Sequence, residues 1–303
     1  VDSSPAEPTY DEGVEMSQGS MSVSRRTLLG LSAAAAVWHP AWAGDASPWF
    51  RALHSRVRVV AGGADADGPG FLAAIAFELD TGFKTYWRTP GESGLPPAFD
   101  WSGSENLRTV EVLWPAPSRF EDQGGVAYGY REGVLLPIRA VPNNRAKSVA
   151  LRLKLDYGVC KEICIPASAT LELKVGMEAS AYRPAIEEAL ARVPKPQAVG
   201  AAGDLSILAV EPVNAGGKPG IEVAARAPEG STLFVEAPEG WYLGAGAPRA
   251  PSASQPVEHR RFPVEVLERP RDGAGPLELR LTLVAGDRAI ETRASLDSAR
   301  LPR

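Results

Sequence analysis

Apart from one close pair, Cys160 and Cys164, the sequence has no cysteine, so no long-range disulfide can staple its distant parts together. Histidine and methionine are nearly as scarce. Past residue 43 only His54, His259 and Met177 remain, which leaves no rich cluster of metal-ligating side chains. A strong charge of either sign is also missing: the formal net charge is −5, and −3 of it falls in residues 1–43, leaving −2 for the rest. That balance gives no support to nucleic-acid binding or to a groove for acidic substrates. No apolar run reaches the ~20 residues needed to cross a bilayer, so no stable membrane span is expected after signal removal. What is abundant is glycine and proline, 30 and 27 residues, interleaved with short alternating apolar stretches, a composition that predicts all-β architecture with many turns.

The cysteine pair sits in the run Tyr157-Gly158-Val159-Cys160-Lys161-Glu162-Ile163-Cys164-Ile165-Pro166. As a staple it would add little, because closing a five-residue ring is worth roughly 2 kcal/mol against nearly 5 for a loop of about 100 residues. Geometry narrows the local structure. A disulfide needs Cβ atoms near 3.8 Å apart, whereas helix positions i and i+4 hold them at about 5 to 6 Å. Before the pair, Val149, Leu151, Leu153 and Leu155 alternate with polar or small residues; after it, Ala169, Leu171, Leu173 and Val175 do the same. Period-two alternation on both sides of a short connection predicts a β-hairpin with Cys160 facing Cys164 at its tip. Non-hydrogen-bonded partners there have Cα atoms about 4.5 Å apart. Strained or exposed disulfides of this kind are the easily reduced ones.

The N-terminal region predicts export. Ser24-Arg25-Arg26-Thr27-Leu28-Leu29-Gly30 opens a basic region, residues 31–37 are small and apolar, and Ala41-Trp42-Ala43 supplies a cleavage site. The paired arginines are of the twin-arginine type, with Leu28 where phenylalanine is usual. The expected mature protein starts near Gly44 in the periplasm, and residues before Met21 are expected to be an upstream extension. Beyond the signal (1–43), the pattern divides into a first β unit (44–193), a linker (194–203) and a second β domain (204–303). The first has strand candidates at 54–60, 70–79, 109–114 and 134–138 besides the cysteine hairpin, and ends in a helix over 182–193 with Pro184 near its start. Turns are expected at 80–82, 89–91 and 115–117. The second has candidates at 205–211, 220–225, 232–236, 262–267, 277–284 and 289–294 and no cysteine.

Four segments of the first unit carry a resemblance: residues 85–97 (Thr-Tyr-Trp-Arg-Thr-Pro-Gly-Glu-Ser-Gly-Leu-Pro-Pro), Trp114-Pro115-Ala116-Pro117, residues 130–137 and the cysteine run through Pro166. Together and in this order they resemble the periplasmic N-terminal domain of DsbD/ScsB-type thiol:disulfide interchange proteins. The ScsB-like branch is the better match, because three residues separate the cysteines. The resemblance implies an immunoglobulin-like β-sandwich carrying a CxxxC hairpin, followed by a short helix, a linker and a second sandwich-like domain. It implies a protein-disulfide reductase-type electron carrier with a redox-active disulfide and no other cofactor. Cys164 matches the cysteine that exchanges with the partner, Cys160 the resolving thiol, and Tyr157 a tyrosine packed beside the pair. Lys161 would favour a thiolate and Glu162 oppose it. In the family an aromatic cap covers the disulfide; Gly124 stands about where that ring would be, and Tyr128 is the residue able to substitute. The implied partners are periplasmic thioredoxin-fold proteins and a membrane electron-transfer protein of the DsbD/CcdA type, the latter expected as a separate chain because this one ends at Arg303 without a multi-helix membrane domain.

The same residues admit other readings. Cys160 and Cys164 could bind Cu(I), since soft sulfur ligands suit it, in a metal-tolerance role, or form an inert structural disulfide. Trp87, Trp101 and Trp114 read as core. Tyr128 and Tyr130, in a glycine-rich loop, could be packing residues, and Glu121 and Asp122 a solvated turn or acids that tune proton release.

Overall fold

The computed structural model describes residues 44–92, 94–122, 125–215, 218–249, 259–270 and 275–301. The predicted export signal and its cleavage site, residues 1–43, lie outside these, as does Gly124. The first unit contains strands β1 (Phe50–Ala52), β2 (Ser55–Ala64), β3 (Phe71–Leu79), β4 (Lys84–Gly91), β5 (Ala98–Asp100), β6 (Leu107–Val112), β7 (Ser118–Asp122), β8 (Gly125–Arg131), β9 (Gly133–Pro142), β10 (Val149–Cys160) and β11 (Cys164–Val175). They form two sheets, ordered β1-β2-β3-β9-β6 and β11-β10-β4-β8-β7, with β5 paired to β10. Alternation explains the packing. Residues 149, 151, 153, 155, 157 and 159 of β10 are all buried while Arg152, Lys154 and Asp156 are exposed, so one face of the strand builds the core. That core joins Val57, Val59, Phe71, Ile75, Leu136 and Ile138 of the facing sheet to Leu151, Leu153, Leu155 and Trp87. The architecture is an immunoglobulin-like sandwich.

Two sequence expectations meet a correction here. Residues 89–91, expected as a turn because of Pro90 and Gly91, continue β4, whose pairing with β8 is irregular between Tyr86 and Gly91. The stretch around Tyr128 and Tyr130, expected as a glycine-rich loop, is β8. Its glycines are steric and not flexible: a Cβ on Gly129 would lie 2.0 Å from the Thr85 carbonyl oxygen, so only glycine lets β8 approach β4 this closely.

A helix, α1 (Arg183–Ala191), follows, with proline in its first turn where a missing N–H costs nothing. It docks through Ile186 onto Val60, Leu72 and Ala74 on the outer face of the first sheet. Residues 194–203 are tied down and not a free tether: Lys195–Pro196 form strand β12, the Gln197 N–H donates to the Glu291 carbonyl (2.9 Å) and the Gly200 N–H to that of Ile207 (2.8 Å). The second unit contains β13 (Ser206–Ala215), β14 (Lys218–Arg226), β15 (Thr232–Glu236), β16 (Tyr242–Ala245), β17 (His259–Glu268), β18 (Pro276–Ala285) and β19 (Arg288–Asp297). Its sheets, β12-β19-β18-β15 and β13-β14-β17-β16, enclose a core of Ile207, Ile221, Val223, Phe262, Leu279, Leu281 and Leu283. Phe234 leaves that core and joins the first one, against which the partly buried Val284 also packs.

Candidate redox site

The hairpin β10–β11 runs in unbroken register from Val149↔Val175 to Cys160↔Cys164. The inward set is odd-numbered on both strands, so the even-numbered cysteines stand on the outer face of their sheet. Their Cα atoms are 4.2 Å apart and the sulfurs are bonded. The two thiols differ in access. Cys160 is 2 % exposed, while Cys164 is half-buried and flanked by the exposed tip residues Lys161, Glu162 and Ile163.

A small cluster surrounds the disulfide: Tyr86 from β4 and Ala127 from β8, both buried, pack with Cys160 and Cys164. The Tyr86 hydroxyl donates to Cys164 Sγ at 2.8 Å; a sulfur already in a disulfide has no proton to offer, so the direction follows. The fit is tight. A Cβ on Gly158 would meet the Tyr86 ring at 3.2 Å and the Leu95 Cβ at 2.9 Å. Lys84, next to Cys160 in the β4–β10 register, is also buried and points its ammonium toward the Phe120 ring at 5.6 Å, where the Arg131 guanidinium lies at 4.5 Å. The tip side of the site is aromatic: the Lys161 ammonium is 5.8 Å from the Phe83 ring, which stacks on His54 at 4.1 Å, and His54 Nδ1 is 2.8 Å from Asp80.

The structure distributes the expected residues unevenly. Cys160, Cys164, Lys161, Glu162 and the exposed Pro166, paired with Gly158, lie at or next to the hairpin tip. Tyr157 does not face the pair. It is on the opposite side of β10, edge-on to Phe77 at 5.4 Å and hydrogen-bonded to Ser55 Oγ at 2.8 Å, because its odd position belongs to the core face. Burial raises its pKa, only partly offset by the Ser55 hydrogen bond. Tyr128 does not cap the disulfide either; its neighbour Ala127 faces the sulfurs while Tyr128 turns to Phe234, 4.9 Å away. Burial first, with the Glu92 charge adding to it and Arg119 opposing, raises its pKa. Tyr130 is a packing residue whose hydroxyl donates to the Pro115 carbonyl at 2.8 Å, and burial holds its pKa well above the ordinary value. Glu121 lies within β7 and is paired with Arg119, not set in a turn.

Sequence reasoning missed Tyr86. It lies in a segment rich in aromatic and β-branched residues, Thr85-Tyr86-Trp87-Arg88-Thr89, whose β-propensity was the available signal. Among the described residues no group of three or more His, Cys, Asp or Glu side chains is arranged to hold a metal ion, and no helix is long and apolar enough to cross a membrane.

A β-sandwich with a paired CxxxC at a hairpin tip defines the class of disulfide-bearing immunoglobulin-like domains. Within that class, residues 58–175 match the family described as thiol:disulfide interchange protein DsbD, N-terminal. Among solved structures, the N-terminal periplasmic domain of ScsB from Proteus mirabilis is similar, with 22 % sequence identity and a TM-score of 0.64 over 84 % of this chain and 99 % of that one. Such a share of the chain extends well beyond the first sandwich into the second. No individually curated protein matches the chain. Residues 58–175 of the first sandwich are thus similar to a DsbD-type N-terminal domain, and the CxxxC disulfide supports thiol–disulfide exchange in general terms.

Proposed function

We propose that Cys160 and Cys164 form the working couple of a periplasmic protein-disulfide reductase-type electron carrier. The observation that carries this reading is the asymmetry of the pair: Cys164 is accessible and touched by a hydroxyl, and Cys160 is buried behind it. In the reduced protein the Cys164 thiolate attacks one sulfur of a partner disulfide. An S–S bond forms between them, and the partner's other sulfur leaves as a thiolate that takes up a proton. The Cys160 thiolate then attacks Cys164 Sγ, the mixed disulfide breaks, and the partner's second thiol is released. Two electrons have passed to the partner and the Cys160–Cys164 bond is restored. The Tyr86 hydroxyl, already aimed at Cys164 Sγ, would stabilise the thiolate form of that sulfur. Lys161 adds positive charge at the tip and Glu162 negative charge.

The export-type N-terminal sequence and the periplasmic origin of the similar ScsB domain support a periplasmic site of action, with export by the twin-arginine route and cleavage near Ala43. A membrane electron-transfer protein of the DsbD/CcdA type would re-reduce the pair, and periplasmic thioredoxin-fold proteins would receive its electrons. The test is the reduction potential of the pair in glutathione or dithiothreitol buffers, combined with trapping by Cys160→Ser. A value of roughly −120 to −270 mV and an accumulating mixed disulfide through Cys164 are expected. A potential below about −300 mV with no trapped partner would mark an inert staple.

A further inference from the structure

Strand β4 does two jobs within four residues. Tyr86 reaches Cys164, and the next three residues grip the second sandwich. Arg88 lies between two carboxylates of that unit: its Nε and Nη2 donate to Glu236 Oε2 and Oε1 at 3.0 and 2.7 Å, and Nη2 also donates to Glu291 Oε2 at 2.7 Å. The Thr89 hydroxyl donates to Glu236 Oε2 at 2.7 Å. Arg280 Nε, 3.5 Å from Glu291 Oε1, steadies the second carboxylate. The cluster is largely shielded, with side-chain exposures of 17 % for Arg88, 15 % for Glu236 and 20 % for Glu291. Burial alone would lower the pKa of Arg88, but the hydrogen bonds and charges of Glu236 and Glu291 together outweigh it and raise it. Beside the clamp, Phe234 of β15, 1 % exposed, inserts edge-on between Trp87 at 5.8 Å and Tyr128 at 4.9 Å.

The backbone shows why such support matters. The β4–β8 ladder pairs Lys84, Thr85 and Tyr86 in register, then breaks until Gly91, and on the other side β10 pairs with β4 only at Lys84. Residues 87–90 are therefore not fixed by strand pairing; Trp87 is held by the first core and by Phe234, while the hydrogen bonds of the Arg88 and Thr89 side chains go to the second unit. Tyr86 is the last paired residue before this gap.

We infer that the second sandwich braces the redox strand: Glu236, Glu291 and Phe234 are positioning residues that hold Trp87, Arg88 and Thr89, and through them keep the Tyr86 hydroxyl on Cys164 Sγ. This rests on the reading of the pair as an exchange couple, and it gives the second unit a role at a site to which it contributes no reacting atom.

The test uses the full mature chain with Glu236→Gln and, separately, Phe234→Leu, each also made in a Tyr86→Phe background, and Arg288→Gln as a control. Arg288 pairs with Asp204 inside the second unit and away from β4, at 2.7 Å. At a pH high enough to ionise Cys164, each clamp variant is expected to shift the thiol–disulfide equilibrium three- to tenfold toward the disulfide, or about 15 to 30 mV at 29.6 mV per tenfold for a two-electron couple. In the Tyr86→Phe background the shift should vanish, because the interaction through which the clamp acts is gone. The control should leave the potential unchanged. A clamp variant that melts at lower temperature with an unmoved potential, or an equal shift in both backgrounds, overturns the brace. An inert wild-type pair would overturn the exchange reading and the brace with it, whereas an active wild type with unresponsive variants sinks the brace alone. A Glu236→Gln protein that fails to fold leaves Phe234→Leu, which removes ring contacts and no charge, to decide.

Discussion

Replacing Tyr86 by phenylalanine removes one oxygen from the site and leaves the ring in place, so its effect on Cys164 can be worked out from the 2.8 Å contact. A hydrogen bond to a charged group contributes about 1.5–3 kcal/mol. Cys164 is half-buried, so water competes for the sulfur and the lower end applies. At 1.36 kcal/mol per unit, the loss raises the Cys164 thiol pKa by about one unit. For a thiol titrating above the assay pH the thiolate fraction then falls about tenfold. The more basic thiolate is also the better nucleophile, with a Brønsted slope of about 0.4–0.5, which returns roughly a factor of three. The net expectation is a fall in exchange rate of about threefold near neutral pH and a rise of about threefold at a pH high enough to ionise Cys164 in both proteins. At a pH high enough to ionise Cys164 in both proteins, the same loss should make the couple about 30 mV more reducing, since the hydroxyl stabilises the thiolate of the reduced form. The assay is alkylation of the reduced protein as a function of pH, in a Cys160→Ser background so that only Cys164 reports. An unchanged alkylation profile in Tyr86→Phe would refute the idea that this hydroxyl governs the sulfur.

The remaining expectations concern packing, partner contact and pH. Gly158→Ala should displace the Tyr86 ring or Leu95 and reproduce part of the Tyr86→Phe profile while melting lower, since its Cβ would meet both; calorimetry and alkylation together check this. Ile163, 78 % exposed beside Cys164, should contribute to docking, so Ile163→Ser should raise KM about tenfold toward a protein disulfide while leaving the reduction potential alone. Leu153→Ala, at a fully buried core position, should cost about 2–5 kcal/mol in urea unfolding without altering the potential. Tyr130 has a folded-state pKa well above 10, so the unfolded chain loses that proton first; the stability this supplies is complete below about pH 10 and declines as pH rises toward the folded value. Tyr130→Phe should therefore lose about 1 kcal/mol at neutral pH through the Pro115 hydrogen bond and show a shallower alkaline decline.

The hairpin was legible in the sequence because both of its strands alternate without interruption and one core face decides the register. Most of the longer outer strands were legible for the same reason, and the helix from its strong helix formers with Pro184 near the start. What escaped, besides the short strands β1, β5, β7, β12 and β16, was the pair of strands that flank the sulfurs. Pro90 and Gly91 at the end of β4, and Gly125 and Gly129 in β8, are turn formers in isolation, and only the packed sheet shows that close backbone approach requires Gly129. Tyr157 was placed beside the pair by motif position, and strand parity moves it to the core. Tyr86 could not be found by period, since it is remote in sequence from the cysteines and meets them through tertiary structure alone. The grip of β4 on the second sandwich was illegible in principle: Arg88, Glu236 and Glu291 are ordinary surface residue types until three separate strands converge.

Parity also explains why this disulfide can be reached at all. On β10 the buried series 149, 151, 153, 155, 157 and 159 is odd, and on β11 the buried series 169, 171, 173 and 175 is odd as well. Cys160 and Cys164 are both even, so the hairpin that closes the core necessarily turns both sulfurs outward. A slip of one residue in either strand would put a cysteine among Tyr157, Val159 and Phe77 and break the opposition that lets the sulfurs bond. The long apolar ladder behind the tip makes such a slip costly, because every leucine would change face with it. The chemistry at the tip and the stability of the core are thus set by one register. The outer face then needs its own shelter, and Tyr86, Ala127 and the buried side of the tip supply it while Cys164 keeps an open flank. A disulfide serving only as a staple would gain nothing from that half-open arrangement. A sulfur that must be attacked in line by another protein requires it.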